Sequence, residues 1–362
     1  MTYSSPLLQR SGAQELPESE AGKVDTRGVA WHYGNPLAEQ RAAEERPIVI
    51  DRSHRVVLKV TGDEAAEFLN NLLTQKLDDA PVGFTSPVLD LDIQGHILHL
   101  ADVTRTADAY FLDLPADQAE TFQNFLQKMI FWSKVEVTRT ELGVLTVLGP
   151  QDEVKALSSP NNAAFDRHYA WPGIFRRDVA VPRDNVVRTV QAWEDQGAKL
   201  AGLMAFTAER VRALSPEWAA DLDNKSIPHE VPHWIGRGDN PGAVHLNKGC
   251  YRGQETVGRV ENLGRSPRVL VQLQLDGSAP TTPAIGDEIR ANGRRAGRIG
   301  TIVDDCDFGP IALAAVKRSA LNADQLTIGE TAASIDPDSL PVEDSDQAGR
   351  AAINKLRGRD RK

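Results

Sequence analysis

Cysteine is scarce in this sequence, which has only Cys250 and Cys306 among 362 residues. Two thiols cannot cross-link a chain of this length, so a disulfide-stapled scaffold is excluded. A four-cysteine zinc or iron–sulfur site built by this chain alone is excluded for the same reason. Long apolar runs are also lacking, because stretches such as 311–316 fall far short of the roughly 20 residues that cross a bilayer.

Targeting signals and an excess of positive charge are missing too. The first ten residues show no cationic start followed by an apolar stretch, so we expect no signal peptide and a cytoplasmic location. The 41 basic and 51 acidic residues leave a net charge of −10. This balance argues against direct binding to nucleic acid, and we expect no membrane partner.

The apolar periodicity predicts an α+β protein with antiparallel strands. Apolar residues at helical spacing predict helices over 63–75, 116–130, 151–157, 185–196 and 206–214. The segment 47–62 and later β-branched runs predict strands, with turns at Gln94-Gly95 and Asn292-Gly293. We divide the chain into an N-terminal extension (1–46), two α+β blocks (47–149 and 150–266), a C-terminal antiparallel β-barrel (267–345) and a basic tail (346–362). The extension is expected either to be mobile or to pack against the body.

The segment 245–268 is locally basic, with five basic and two acidic residues in an acidic chain. Cys250 lies between Lys248 and Arg252, and neighbouring cations favour the thiolate. Three of its glycines, at 249, 253 and 258, permit unusual backbone angles and close approach of a ligand. Cys306 is flanked by aspartates, so we expect it to be inert. A buried structural Cys250 and a merely solvated basic face are the alternatives that these patterns leave open.

The octapeptide KGCYRGQE, from Lys248 to Glu255, resembles the signature of the YgfZ family, K-G-C-[FY]-x-G-Q-E, at every defined position. These folate-binding proteins are related to the T-protein, the aminomethyltransferase of the glycine cleavage system. IPHEV (227–231) and the barrel segment 293–318 extend the resemblance, which covers roughly 46–330.

The resemblance implies a three-domain cloverleaf of two ferredoxin-like α+β blocks and a barrel, with tetrahydrofolate bound in a central channel. It also implies a role in the assembly or repair of iron–sulfur proteins, through transient contact with clients, and thereby in tRNA modification. Cys250 would be the functional thiol and Lys248 its support. We expect the ligand-binding residues to be Tyr251, Arg252, Gly253, Gln254, Glu255, Arg259 and Asp221, and an anionic folate tail would suit Lys248, Arg252 and Arg259.

Two departures from the T-protein pattern argue against aminomethyl transfer. The acid that follows a G-x-I element in T-proteins is absent at Leu98 and His99. The glutamate of their R-x-E element, which contacts the pterin, is replaced by Arg212. A folate-dependent one-carbon transferase is therefore the alternative function, and a ligand-binding module with a structural Cys250 is the third. The sequence leaves open whether the chain is an enzyme.

Weaker candidates complete the survey. His229 to His233 matches the zinc-protease pattern H-E-x-x-H, but Pro232 interrupts the helix that this chemistry needs, so we predict no metal site. Asp221 and Asp223 could line the channel or belong to ordinary acidic loops. Four tryptophans could stack on a pteridine ring or lie in cores, namely Trp171, Trp193, Trp218 and Trp234.

Overall fold

The computed structural model describes residues 3–21 and 23–341, and the predicted basic tail, 346–362, lies outside the described residues. The α-helices are α1 (Glu18–Ala21), α2 (Pro36–Glu45), α3 (Ala65–Leu72), α4 (Ala116–Met129), α5 (Gln151–Ala156), α6 (Val186–Glu194), α7 (Leu203–Arg212), α8 (Trp218–Asp221) and α9 (Gln254–Leu263). The strands are β1 (Ile48–Arg52), β2 (Val56–Thr61), β3 (Thr85–Leu91), β4 (Ile97–Arg105), β5 (Tyr110–Leu114), β6 (Glu136–Arg139), β7 (Leu142–Gly149), β8 (Phe165–Trp171), β9 (Ile174–Pro182), β10 (Lys199–Ala201), β11 (Arg268–Leu275), β12 (Glu288–Ala291), β13 (Arg294–Asp305), β14 (Gly309–Lys317), β15 (Leu326–Ile328) and β16 (Thr331–Ile335).

The first sheet is antiparallel, in the order β3-β4-β5-β2-β6. The amphipathic helices α3 and α4 cover one face and bury Leu69 and Phe122 against Leu58 and its neighbours. Gly95, in the predicted turn between β3 and β4, has a left-handed φ of 82°. This backbone angle suits glycine and makes the hairpin turn possible.

The second sheet has the order β10-β1-β7-β9-β8, with β1 and β10 parallel and the other pairs antiparallel. The segment 47–62, predicted as strand, is two strands that enter different sheets on either side of residues 53–55. Both β1 and β7 fall within the predicted block 47–149, yet they pair with strands of the second sheet. The domain boundaries themselves stay a prediction.

A buried ionic network joins the two sheets. Arg167 on β8 lies 2.5 Å from Asp113 on β5 and 3.0 Å from Asp178 on β9. Arg55 donates to the same Asp113 carboxylate at 2.9 Å. Breaking one member of such a buried network leaves an uncompensated charge, which is strongly destabilising.

The C-terminal strands form a closed antiparallel barrel, β11-β14-β13-β12-β15-β16. The two-residue turn Asn292-Gly293 joins β12 to β13 with both residues at positive φ, 50° and 73°. This is the geometry that a tight hairpin with right-handed strand twist requires. The predicted α+β fold class with a C-terminal antiparallel barrel is confirmed.

The N-terminal extension packs on the body, the second of the two expected outcomes. Leu7 and Val29 are buried, and α2 packs against α7 and β13. Helix α7 begins at Leu203, three residues before the predicted start, and is buried along almost its whole length. Among the described residues, we find no helix with the length and apolar character needed to cross a membrane.

Candidate ligand cavity and cysteine loop

A cavity of about 830 Å³ lies where the two sheets, α7 and the barrel meet. Its wall includes residues of β3 and β4 from the first sheet and of β1, β8 and β9 from the second. The loops at 213–218 and 233–242 and a few residues of the barrel domain complete it. Binding pockets commonly measure roughly 300–1,000 Å³, so this volume suits a cofactor-sized ligand.

Aromatic side chains form much of the cavity wall. Trp171, Trp218 and Trp234 line it, whereas Trp193 is 1% exposed in the core of the second sheet. The Trp218 indole N–H donates to the carbonyl oxygen of Ile97 at 3.3 Å, which fixes the ring. The wall therefore offers ordered aromatic faces on which a planar heterocycle can stack.

Two buried arginines stack on aromatic rings in the same wall. The guanidinium of Arg176 lies 4.5 Å from the centre of the Tyr169 ring, and that of Arg52 lies 4.1 Å from the Phe206 ring. Asp178 is 2.5 Å from Arg176 and 3.8 Å from Arg52. Burial acts to raise the pKa of Asp178, but the guanidinium groups prevail and hold it well below its ordinary value. The two arginines thus share one carboxylate partner within the protein.

Glu217 is a cavity carboxylate that the sequence reasoning missed. Its Oε1 lies 3.8 Å from Arg210 Nε, while Oε2 is enclosed and has no hydrogen-bond partner in the protein. Burial raises the pKa of Glu217, and Arg210 opposes this shift. No motif marks Glu217, because it lies in the irregular loop between α7 and α8. A small rotation of this side chain would offer an acceptor to N–H groups of a ligand.

Asp221, predicted to contact the ligand, is 2% exposed and binds Arg210 instead. Its carboxylate accepts from Arg210 Nη1 at 2.7 Å and from the Thr301 amide at 2.7 Å. It therefore fixes a guanidinium that lines the cavity. Direct contact between Asp221 and a ligand stays a prediction.

Arg212, which the resemblance predicts in place of a pterin-contacting glutamate, ties α7 to the barrel. Its Nη1 lies 3.3 Å from Glu209 and its Nη2 lies 2.6 Å from Asp305. The guanidinium carbon also lies 5.3 Å from the centre of the Phe308 ring. Although Arg212 borders the cavity, its donors are directed at these barrel and helix partners.

Strand β4 brings a different carboxylate to the cavity. Leu100, the residue after His99, lines it together with Ala101 and Asp102. Asp102 lies 3.6 Å from Arg167 and 3.7 Å from Arg176. The carboxylate is therefore held by two guanidinium groups.

Cys250 lies in an exposed loop. Lys248, two residues earlier, is 8% exposed, and its Nζ donates to the carbonyl oxygens of Asn70, Leu73 and Gln75, the last at 3.0 Å. Burial lowers the pKa of Lys248 to about 7, whereas the three carbonyl oxygens favour the ammonium form. Lys248 thereby anchors the cysteine loop just after α3. Its support of the thiol stays a prediction.

Gln75 connects the cysteine loop to the rim of the cavity. Its side-chain Nε2 donates to the carbonyl oxygens of Pro241 and Gly242, both at 3.0 Å, and both residues line the cavity. Its own carbonyl oxygen is one of the acceptors of Lys248. A single buried residue therefore contacts both regions.

The aromatic and basic residues after Cys250 pack against the first sheet and α4. Arg252 Nη2 lies 2.5 Å from Asp90, and its guanidinium lies 4.5 Å from the centre of the Phe125 ring. Tyr251 is 8% exposed, and its burial raises the pKa of the phenol to about 12. The guanidinium of Arg252 is directed at Asp90. Activation of Cys250 by Arg252 stays a prediction.

Gly253 makes the close approach that the sequence predicted, but to the protein's own hairpin. It has a left-handed φ of 82°, and an added Cβ would lie 2.6 Å from the carbonyl oxygen of Asp92. Gln254 then begins α9, on which Glu255 and Arg259 are exposed. None of the nine predicted site residues, all of which the structure describes, lines the cavity.

Cys306 lies half-buried beside the acidic hairpin of the barrel. Burial raises the pKa of its thiol, and Asp305 and Asp307 raise it further, in line with the inert character predicted for it. Glu44, Cys306 and Asp307 could offer ligand atoms within 4.8 Å of one another. Arg41 lies 2.9 Å from Asp307, which accounts for this carboxylate as an ion pair, and we assign no metal here.

The histidines of the H-E-x-x-H pattern lie on separate short 3₁₀ helices, Pro228–Glu230 and Pro232–Trp234. His229 Nε2 is 3.1 Å from Glu261, whereas His233 lines the cavity. Burial lowers the pKa of His233 to about 4, so its imidazole is neutral at pH 7. The two imidazoles therefore lie in different surroundings, one beside Glu261 and the other in the cavity wall.

Three known proteins or domains are similar to this chain. The family model described as CAF17, C-terminal beta-barrel domain, matches residues 268–342. A putative chloroplastic transferase from Arabidopsis thaliana is 23% identical over 355 residues, which cover 91% of this chain and 78% of that protein. The crystal structure of the glycine cleavage system aminomethyltransferase T from Bartonella henselae has a TM-score of 0.76 at 19% identity, with 91% of this chain and 94% of that chain covered.

The family match covers the C-terminal barrel, and the structural match covers nearly the whole chain. The 19% identity to the solved structure establishes the fold alone, and that fold spans nearly the whole of both chains. The predicted relationship is confirmed at the level of domain and fold: residues 268–342 match the CAF17 C-terminal barrel, and the chain has a fold like that of the glycine cleavage aminomethyltransferase T.

Proposed function

We propose that this protein binds a tetrahydrofolate in its cavity and assists the assembly or repair of iron–sulfur proteins, with Cys250 as the functional thiol. The observation that carries the folate part is the cavity of about 830 Å³ with three tryptophans in its wall. Support of tRNA modification would follow indirectly, through iron–sulfur clients. The cytoplasmic location expected from the sequence belongs to the same proposal.

The chemistry of the wall matches the chemistry of a folate. A pteridine ring stacks on indole faces such as that of Trp218, and its 2-amino-4-oxopyrimidine edge presents N–H donors. Glu217 supplies a carboxylate that has an oxygen without a partner. This assignment gives Glu217 the ligand contact that Arg212, tied to Glu209 and Asp305, does not make.

Calorimetric titration with 5-formyltetrahydrofolate tests the folate part. We expect saturable binding to the full chain, and Trp218→Ala should weaken it about tenfold, since stacking contributes about 1–3 kcal/mol per ring. Trp132→Ala is the matched control, because Trp132 is 98% exposed and does not line the cavity. No saturable binding by a folded sample would refute the folate part.

The thiol part rests on the place of Cys250 outside the cavity wall. Its side chain is exposed, and Gly249 beside it has open space around its Cα. The two cysteines of the chain cannot hold a conventional four-cysteine cluster. Cys250 therefore acts on a client that approaches from outside, in transient contact.

Complementation of a strain that lacks this protein tests the thiol part. We expect Cys250→Ser to fail to restore the activity of iron–sulfur enzymes, while Cys306→Ser restores it. Equal restoration by both variants, at equal protein levels, would mean that Cys250 is not the functional thiol.

The alternative function, one-carbon transfer as in the T-protein, draws support from Asp102 in the cavity wall. If Asp102 acted as the catalytic acid or base, tetrahydrofolate and an aminomethylated carrier protein would yield methylenetetrahydrofolate, ammonia and the carrier protein freed of its aminomethyl group. We expect no such turnover, because the guanidinium groups of Arg167 and Arg176, 3.6 and 3.7 Å away, already engage the Asp102 carboxylate. Turnover that Asp102→Asn abolishes would establish the alternative.

A further inference from the structure

The opening of the cavity carries negative charge. Asp239 and Asp338 line the cavity and are exposed. The other exposed residues of its wall, within the described part of the chain, are histidine or uncharged. Asp336 also lines the cavity and is half-buried, and its Oδ1 accepts from the backbone amide of Asp338 at 3.0 Å.

The histidines at the opening do not offset this charge at neutral pH. Both imidazoles are exposed on one side, and the enclosure of the other side lowers the pKa of His168 and His233 below the ordinary value. Arg237, beside the same rim, lies 2.7 Å from Glu261 and is neutralised there. The opening therefore remains anionic under ordinary conditions.

The positive charges of the cavity wall lie deeper and are paired. Each of its five arginines has a carboxylate partner, with Arg52 and Arg176 sharing Asp178, and Asp102 lies 3.7 Å from Arg176 as a fifth carboxylate, which leaves little positive field to attract an anionic tail. The pairs are Arg52 with Asp178 (3.8 Å), Arg55 with Asp113 (2.9 Å), Arg176 with Asp178 (2.5 Å), Arg210 with Asp221 (2.7 Å) and Arg212 with Asp305 (2.6 Å).

We propose that this anionic opening makes the cavity selective for folates with a single glutamate over polyglutamyl folates. The inference rests on the proposed binding of folate. A folate whose ring lies among the tryptophans directs its glutamates toward the opening, and every added γ-glutamyl residue brings another carboxylate near Asp239 and Asp338. The basic residues expected to receive the tail, Lys248, Arg252 and Arg259, do not line the cavity.

The dependence of this selectivity on salt concentration tests whether its origin is electrostatic. At about 10 mM salt the screening length is about 30 Å, so the carboxylates of the tail and of the opening repel one another across the whole rim. At about 0.3 M it falls below 8 Å, and most of the repulsion is screened. The selectivity should therefore be large at low salt and small at high salt.

Calorimetric titration of the full chain with monoglutamyl and pentaglutamyl 5-formyltetrahydrofolate tests the inference. We expect the monoglutamate to bind about tenfold more tightly at low salt and the two to differ less than about twofold at high salt. Asp239→Asn with Asp338→Asn should abolish the difference. Asp152→Asn with Glu153→Gln is the matched control, because it removes two exposed carboxylates of α5 that do not line the cavity.

Equal or tighter binding of the pentaglutamate by the wild-type protein at low salt would overturn the inference while leaving folate binding intact. A preference that persists in the Asp239→Asn, Asp338→Asn variant would overturn it as well. If neither folate binds to the folded protein, the proposed function fails and this inference fails with it.

Discussion

Replacement of Lys248 by methionine separates an anchoring role from a role in thiol chemistry. The substitution keeps the length of the side chain and removes the ammonium that donates to three carbonyl oxygens. Each buried carbonyl group that loses its donor costs about 1–3 kcal/mol. Methionine carries no charge, so the variant also avoids the cost of burying an ammonium group, which offsets several kcal/mol of the loss from the three carbonyl groups. We expect a net loss of about 3 kcal/mol in the free energy of unfolding.

Urea unfolding followed by far-ultraviolet circular dichroism measures this loss. Lys225→Met is the control, because Lys225 is exposed, and it should change the free energy of unfolding by less than about 0.5 kcal/mol. The rate of alkylation of Cys250 by iodoacetamide, measured in a Cys306→Ser background, reports on the thiol. If Lys248→Met left stability unchanged and slowed alkylation at pH 7, the anchoring role would be refuted.

Three further predictions follow from single contacts. Gly253→Ala should destabilise the protein by about 2 kcal/mol or more, because alanine would have to adopt a left-handed φ with its Cβ 2.6 Å from the Asp92 carbonyl oxygen. Gly249→Ala is the control in thermal melts, because a Cβ at residue 249 would meet open space. Equal losses of stability in the two variants would contradict the reasoning. Glu217→Gln should weaken binding of 5-formyltetrahydrofolate about tenfold in calorimetry without lowering stability, and unchanged affinity would remove Glu217 from the site. Burial raises the pKa of Glu230 to about 7, against the opposing Arg268. Its stabilising contribution is therefore complete below pH 4.5 and lost as the pH rises through 7, by roughly 3 kcal/mol. Urea unfolding across this range should show a smaller decline for Glu230→Gln than for the wild type, and identical pH profiles would contradict the assignment.

Local signals in the sequence were sufficient for the elements that depend on local patterns. Helix α4 begins at the predicted residue, because its apolar stripe is regular, and Asn292-Gly293 forms the predicted turn, because both residues accept positive φ. The start of α7 was predicted three residues late. Nearly every residue of that helix is buried, so its sequence lacks the contrast between apolar and polar faces that marks a boundary.

The candidate site depended on long-range contacts that the sequence did not disclose. The motif indicated the family, but the net charge of a segment does not say where each side chain points. Lys248 and Arg252 bind carbonyl oxygens and Asp90, which lie more than 150 positions away along the chain. Glu217 could not be found from spacing, because its significance arises only from the cavity that three parts of the fold enclose.

The crystal structure of the protein grown with 5-formyltetrahydrofolate tests the central claim, that the cavity between the sheets and the barrel holds a folate. We predict density for the pteridine ring in the cavity, stacked on at least one of Trp171, Trp218 and Trp234 and within hydrogen-bond distance of Glu217. A folate bound elsewhere on the protein, with the cavity empty at a saturating concentration, would contradict the account.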